Sequence, residues 1–129
     1  MKYASKVKSR GARLLLADDN QNGMAARKSL LEEQEFVIVT AANGEEAFEA
    51  LSNGMFNLLV TDVIMPGASG PRLFERLARQ RPDLKVLYVS GYTGDTIVHQ
   101  GELAPGVEFL RKPFTADALN RRVREVLDR

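Results

Sequence analysis

Apolar residues fall along this chain in short blocks, separated by stretches with helical spacing. Arg13-Leu14-Leu15-Leu16-Ala17 is a compact apolar run that stops at Asp18-Asp19-Asn20, the pattern of a buried strand running into a polar turn. Residues 22–34 place Met24, Arg27, Leu30 and Leu31 at helical intervals. Phe36-Val37-Ile38-Val39-Thr40 is β-branched and reads as a second strand. Asn43, with Glu46 three positions on, predicts a helix cap, and Ala47, Phe48 and Leu51 form the buried stripe of the helix that follows. Asn53-Gly54 stops that helix.

The alternation continues to the end. Asn57-Leu58-Leu59-Val60-Thr61 predicts a third strand ending at Asp62, and Met65-Pro66-Gly67 predicts a loop. Gly70-Pro71 opens a helix carrying Leu73, Phe74 and Leu77, which Pro82 ends. Lys85–Val89 predicts a fourth strand ending at Ser90-Gly91. Glycines and a proline between 93 and 106 leave room only for a short helix around Asp95–Gln100. Val107–Leu110 predicts a fifth strand ending at Arg111-Lys112-Pro113. Thr115 caps a last helix whose Leu119, Val123, Val126 and Leu127 share one face. Five strands alternating with about five helices imply an α/β domain with a parallel sheet covered on both faces.

Composition narrows the chemistry. The chain has 129 residues, the size of one domain, with no cysteine and one histidine. A disulfide scaffold, a thiolate nucleophile and a Cys-based metal site are excluded, and the lack of cysteine fits a reducing cytoplasm. A Ser-His-Asp hydrolase would have to use His99, which lies in the irregular stretch. The net charge of +1 comes from 18 basic and 17 acidic residues. Residues 1–10 hold Lys2, Lys6, Lys8 and Arg10 and no acid, so the remainder is 14 against 17, or −3. The expected division is a basic tail or linker over 1–10 and one domain over 11–129. No apolar run is long enough to span a membrane.

In an open parallel sheet, sites form at the carboxyl ends of the strands. Asp18 and Asp19 follow the first strand, Asp62 the third, Ser90 the fourth and Lys112 the fifth. Three clustered carboxylates repel, each pair at ~4 Å by about 4 kcal/mol at an effective dielectric of ~20. Lys112 offsets one charge, and a divalent cation on oxygen ligands, Mg²⁺ or Mn²⁺, supplies the remainder. A hard cation on carboxylates, beside a lysine and a hydroxyl, is equipment for phosphoryl transfer, and an aspartate can itself accept the group.

Asp18-Asp19, Leu59-Val60-Thr61-Asp62 with Met65-Pro66-Gly67 and Gly70, Ser90-Gly91, and Lys112-Pro113-Phe114 resemble, in order and spacing, the response-regulator receiver (CheY-like) family of two-component signalling. The resemblance covers about residues 12–128. It implies a flavodoxin-like, doubly wound five-stranded parallel sheet in the strand order 2-1-3-4-5, with helices on both faces. It implies that Asp62 accepts a phosphoryl group from a histidine kinase or a histidine phosphotransfer protein. It places Mg²⁺ directly on Asp19, Asp62 and the backbone carbonyl of Ile64, and on Asp18 through metal-bound water. Ser90 would bond the phosphoryl group, Lys112 would pair with it, and Pro113 would be cis. Phe109 stands at the family's switch aromatic, without the hydroxyl of a tyrosine. Ile64 and Tyr92, two residues after Asp62 and Ser90, stand where the family tunes phosphoryl lifetime.

Tyr88-Val89-Ser90-Gly91-Tyr92 and Phe109–Phe114 are similar to receivers of hybrid histidine kinases. On this reading the protein is a cytoplasmic signalling switch and not an enzyme, apart from catalysing its own phosphorylation and dephosphorylation. The chain ends at Arg129 directly after its last helix, so no DNA-binding domain is expected and output would pass to a downstream protein target. A Mg²⁺-dependent phosphatase with an aspartate nucleophile would need a second Asp where Ile64 stands. A pseudo-receiver is disfavoured by the full set of Asp18, Asp19, Asp62, Ser90 and Lys112. A nucleotide-binding domain is disfavoured by the lack of GxGxxG or GxxxxGK[ST].

Overall fold

The computed structural model describes residues 11–18, 20–65, 68–90 and 107–129. Its elements are β1 (Arg13–Ala17), α1 (Gln21–Glu32), β2 (Val37–Ala41), α2 (Gly44–Ser52), β3 (Leu58–Asp62), β4 (Ile64–Met65), β5 (Ala68–Ser69), α3 (Gly70–Gln80), β6 (Lys85–Ser90), β7 (Phe109–Arg111) and α4 (Ala116–Leu127). The main sheet is parallel, in the order β2-β1-β3-β6-β7. Counting only its own strands in chain order, that is the predicted 2-1-3-4-5.

Strand periodicity explains the two covered faces. Successive side chains point to opposite sides of the sheet. Leu14 and Leu16, Leu58 and Val60, and Leu87 and Val89 turn toward α1 and α4, where they meet Met24, Leu31, Leu119 and Val123. Leu15 and Ala17, with Leu59, turn toward α2 and α3 and meet Ala47, Leu51, Leu73 and Leu77. Strands apolar at every position therefore suit a sheet with no solvated face. Fully burying one such leucine stabilises the fold by about 1.5–3 kcal/mol.

Polar residues set the helix starts. The side chains of Asn20, Asn43, Ser69 and Thr115 accept from the backbone N–H of Gly23, Glu46, Arg72 and Ala118. At α2 the Glu46 carboxylate reaches back to the N–H of Ala42, one residue before the cap. Phe48 is only partly buried and lies under the Arg76 guanidinium, 4.2 Å from the ring centroid.

β1 has the predicted bounds, and the boundaries of the other sheet strands differ from the predicted ones by one or two residues. β2 starts at Val37 because Glu35 (φ 69°) closes the preceding turn and Phe36 enters the core as the chain leaves it. The predicted loop at 65–67 needs correction at Met65, while Pro66 and Gly67 lie outside the described residues. Met65 belongs to β4, which pairs antiparallel with β5 through Ile64↔Ser69 and Met65↔Ala68. The short helix expected around 95–100 lies outside the described residues, as do the basic tail and His99.

Candidate functional site

The sheet places its polar residues at one edge. Asp18 follows β1 directly, Asp62 is the last residue of β3, and Ala17 pairs with Thr61 across these adjacent strands. Asp62 pairs in turn with Val89, one residue before Ser90 at the end of β6. Ser90 pairs with Arg111, one residue before Lys112. Four neighbouring strands thus deliver Asp18, Asp62, Ser90 and Lys112 side by side. Asp18, Asp62 and Ser90 are deeply buried, at 1%, 6% and 5% exposure.

Each polar group is held by identifiable contacts. Lys112 Nζ lies 2.7 Å from Asp62 Oδ1. Its alignment is that of an ion pair rather than a hydrogen bond, and Oδ1 accepts no hydrogen bond among the described residues. The backbone N–H of Lys112 donates to the Ser90 carbonyl at 2.6 Å, which ties the end of β6 to the lysine. The Lys112–Pro113 peptide bond is cis, as the resemblance implied. Asp18 Oδ1 accepts from the N–H of Asn20 at 3.0 Å, inside the turn that starts α1.

Gly70 forms the wall behind Asp62. Its N–H donates to the Val63 carbonyl at 2.8 Å, and Val63 N–H donates to Val89 at 3.0 Å. A Cβ on Gly70 would lie 2.2 Å from the Asp62 carbonyl oxygen. Only glycine lets the start of α3 approach the acidic strand end this closely.

One charged residue at the site went unrecognised in the sequence. Arg27 projects from α1 and forms an ion pair with Asp18 Oδ2. Arg27 is itself only 9% exposed. Burial pulls its proton affinity below the usual arginine value, while the Asp62 carboxylate pushes it back up. The signal was present: a cation at a core-facing helical position, one turn after Gly23 and close in sequence to an acidic pair. Arg27 is a cation that the sequence reading, which set Lys112 and a divalent ion against the carboxylates, did not count.

The remaining predicted residues divide as follows. Phe109 is half-buried and packs with Val63 and Tyr88. Pro113 is exposed. Asp19, Tyr92 and the Ile64 side chain lie outside what the structure describes, so the pair of aspartates after β1 is represented by Asp18. Among the described residues no three acidic side chains gather at one point. The donor set still suits a hard cation: Asp18 and Asp62 are buried carboxylates on adjacent strand ends, and carboxylate oxygens are the ligands such an ion takes.

The family model for the response regulator receiver domain matches residues 14–124. The chain is 32% identical over 123 residues to the sensor kinase CckA of Brucella abortus (strain 2308), covering 94% of this chain and 13% of that one. It is 29% identical over 115 residues to the response regulator receiver protein CpdR of the same organism, covering 89% and 96%. It thus spans a small part of one relative and nearly all of the other. Among solved structures, the receiver domain of hybrid histidine kinase CckA matches with a TM-score of 0.75 and 33% identity over 90% of this chain and 99% of that one. The response regulator TrrA of Thermotoga maritima, in complex with Mg²⁺-BeF, matches with a TM-score of 0.74 and 28% identity over 89% and 98%.

Proposed function

This chain belongs to the response regulator receiver domain family, and on that premise we propose that residues 11–129 form a phosphoacceptor switch whose accepting group is Asp62. The observation that carries the reading is the buried Asp62 carboxylate at a strand end with the Lys112 ammonium 2.7 Å from it. A nucleophilic carboxylate needs a nearby cation to hold the charge that arrives with a phosphoryl group, and the ammonium is already in place.

The chemistry is group transfer. An Asp62 oxygen attacks the phosphorus of a phosphohistidine on a histidine kinase or phosphotransfer protein. The P–N bond breaks, its electron pair stays on the imidazole nitrogen, and an acyl phosphate forms on Asp62. Lys112 pairs with the phosphoryl oxygens. The Ser90 hydroxyl, on the neighbouring strand, donates to one of them. Asp18, Asp19, Asp62 and the Ile64 carbonyl would hold Mg²⁺ or Mn²⁺, which when bound neutralises charge on the phosphoryl oxygens. Hydrolysis of the acyl phosphate returns the free carboxylate.

The charge and acceptor oxygens added at Asp62 bias a two-state element. Ser90 is the first link, because its carbonyl already holds the Lys112 N–H. Phe109, packed against Tyr88 two residues before Ser90 on β6, is the second. Ile64 and Tyr92 tune access of water to the phosphoryl group, and Pro113 shapes the turn that carries Lys112. Output passes to a downstream protein, in the cytoplasm. Residues 1–10 act as a basic tail or linker.

The test is intact-mass measurement after incubation with Mg²⁺ and a small acyl phosphate. The wild-type chain gains one phosphoryl group. Asp62→Asn and chelator-treated protein do not. Equal gain by Asp62→Asn refutes the assignment.

A further inference from the structure

We infer that Arg27 is a resident counter-cation of the acidic site, which neutralises Asp18 when no metal is bound and so weakens the site for a divalent cation. This rests on the reading of Asp18 and Asp62 as the metal side of a phosphoacceptor site. Three observations carry it. Asp18 and Arg27 are both buried, at 1% and 9% exposure, and their charged ends form an ion pair. The guanidinium lies back along α1 toward Asn20 and Asp18, so that a Cβ on Gly23, one turn earlier, would stand in ordinary contact with an Arg27 terminal nitrogen at 3.4 Å. Among the described residues, the charges at the site balance: Asp18 faces Arg27, and Asp62 faces Lys112.

The consequence follows from buried electrostatics. Separating a buried ion pair leaves each member in a medium that solvates it poorly. A cation that draws on Asp18 must either separate this pair or share the carboxylate with a guanidinium that repels it. Either route reduces metal affinity. Arg27 also keeps Asp18 compensated in the metal-free protein, so the empty site does not depend on the ion for stability.

The experiment titrates Mg²⁺ into the full chain, as wild type, Arg27→Met, Arg27→Gln and Arg27→Lys, and follows backbone amide NMR shifts. Urea unfolding of each is measured in chelator and in saturating Mg²⁺. Both neutral variants are expected to bind Mg²⁺ at least ~10-fold more tightly than wild type, and Arg27→Lys to stay within ~3-fold of it. The neutral variants should be less stable than wild type in chelator and recover more stability on adding Mg²⁺. Should Arg27→Met fail to fold in both buffers, Arg27→Gln decides the matter by the same measure. Unchanged or weaker Mg²⁺ binding by the folded neutral variants overturns the inference and leaves the proposed function standing. Absence of both Mg²⁺ and beryllofluoride binding in the wild type overturns that function, and this inference with it.

Discussion

Replacing Gly70 by alanine places one methyl group against the backbone that carries the proposed phosphoacceptor. The added Cβ would sit 2.2 Å from the Asp62 carbonyl oxygen and 3.1 Å from Thr61 Cγ2, where real Cβ contacts stay above 3.0 Å. The partner is backbone, so no rotamer change relieves the clash. Either α3 retreats or the end of β3 shifts, by about 0.8 Å, the difference between 3.0 and 2.2 Å. Overpacking of this kind costs about 1–3 kcal/mol. With a urea dependence of ~1–3 kcal/mol/M for small domains, the unfolding midpoint should fall by roughly 1 M. The same shift moves Asp62 relative to Lys112 Nζ, now 2.7 Å away. Gly70→Ala should therefore lose phosphoryl acceptance more than stability alone explains, in buffer where it remains folded. The assay pairs urea unfolding by circular dichroism with the rate of mass gain from a small acyl phosphate. A variant with wild-type midpoint and wild-type rate would refute the close-packing argument.

Two further predictions concern stability. The Tyr88 phenol is raised by burial from 10.0 to about 12, so the folded chain keeps this proton where the unfolded chain loses it. Stability from this group is complete below about pH 10 and is lost as pH rises toward about 12, a span of about 2–3 kcal/mol. Urea unfolding across that range should show a smaller decline in Tyr88→Phe, and an equal decline would contradict the assignment. Asn43→Ala removes the side chain that accepts from Glu46 N–H at 2.9 Å, at a cost of about 1 kcal/mol. A loss below a few tenths in thermal or urea unfolding would show that Glu46, through its bond to Ala42 N–H, holds the helix start unaided.

The sheet was legible in the sequence because its strands are buried on both faces. Leu14-Leu15-Leu16 and Leu58-Leu59-Val60 are apolar without alternation, and the polar residue that ends each run marks the sheet edge. The helix caps at Asn43 and Thr115 were legible because a side-chain acceptor at a helix start is a local requirement. The β4–β5 pairing was not, because two residues a side carry no periodicity and Met65-Pro66-Gly67 has the composition of a turn. Arg27 stayed hidden for another reason. Its spacing with Met24 and Leu31 put it on the core-facing stripe, but helical spacing alone does not say which carboxylate the guanidinium meets, and the fold shows that it is Asp18. Sequence order placed Asp62 and Lys112 on one edge. Their contact required parallel pairing of β3 with β6 and β6 with β7, with the register that aligns the strand ends.

The central claim, that Asp62 carries the phosphoryl group, has a direct chemical test. An acyl phosphate on aspartate is reduced by borohydride to homoserine, which marks the modified position permanently. After incubation with Mg²⁺ and a small acyl phosphate, reduction, proteolysis and peptide sequencing by mass spectrometry should find homoserine at position 62. Homoserine at position 18 or 19, or a phosphorylated chain that yields none at position 62, would contradict it.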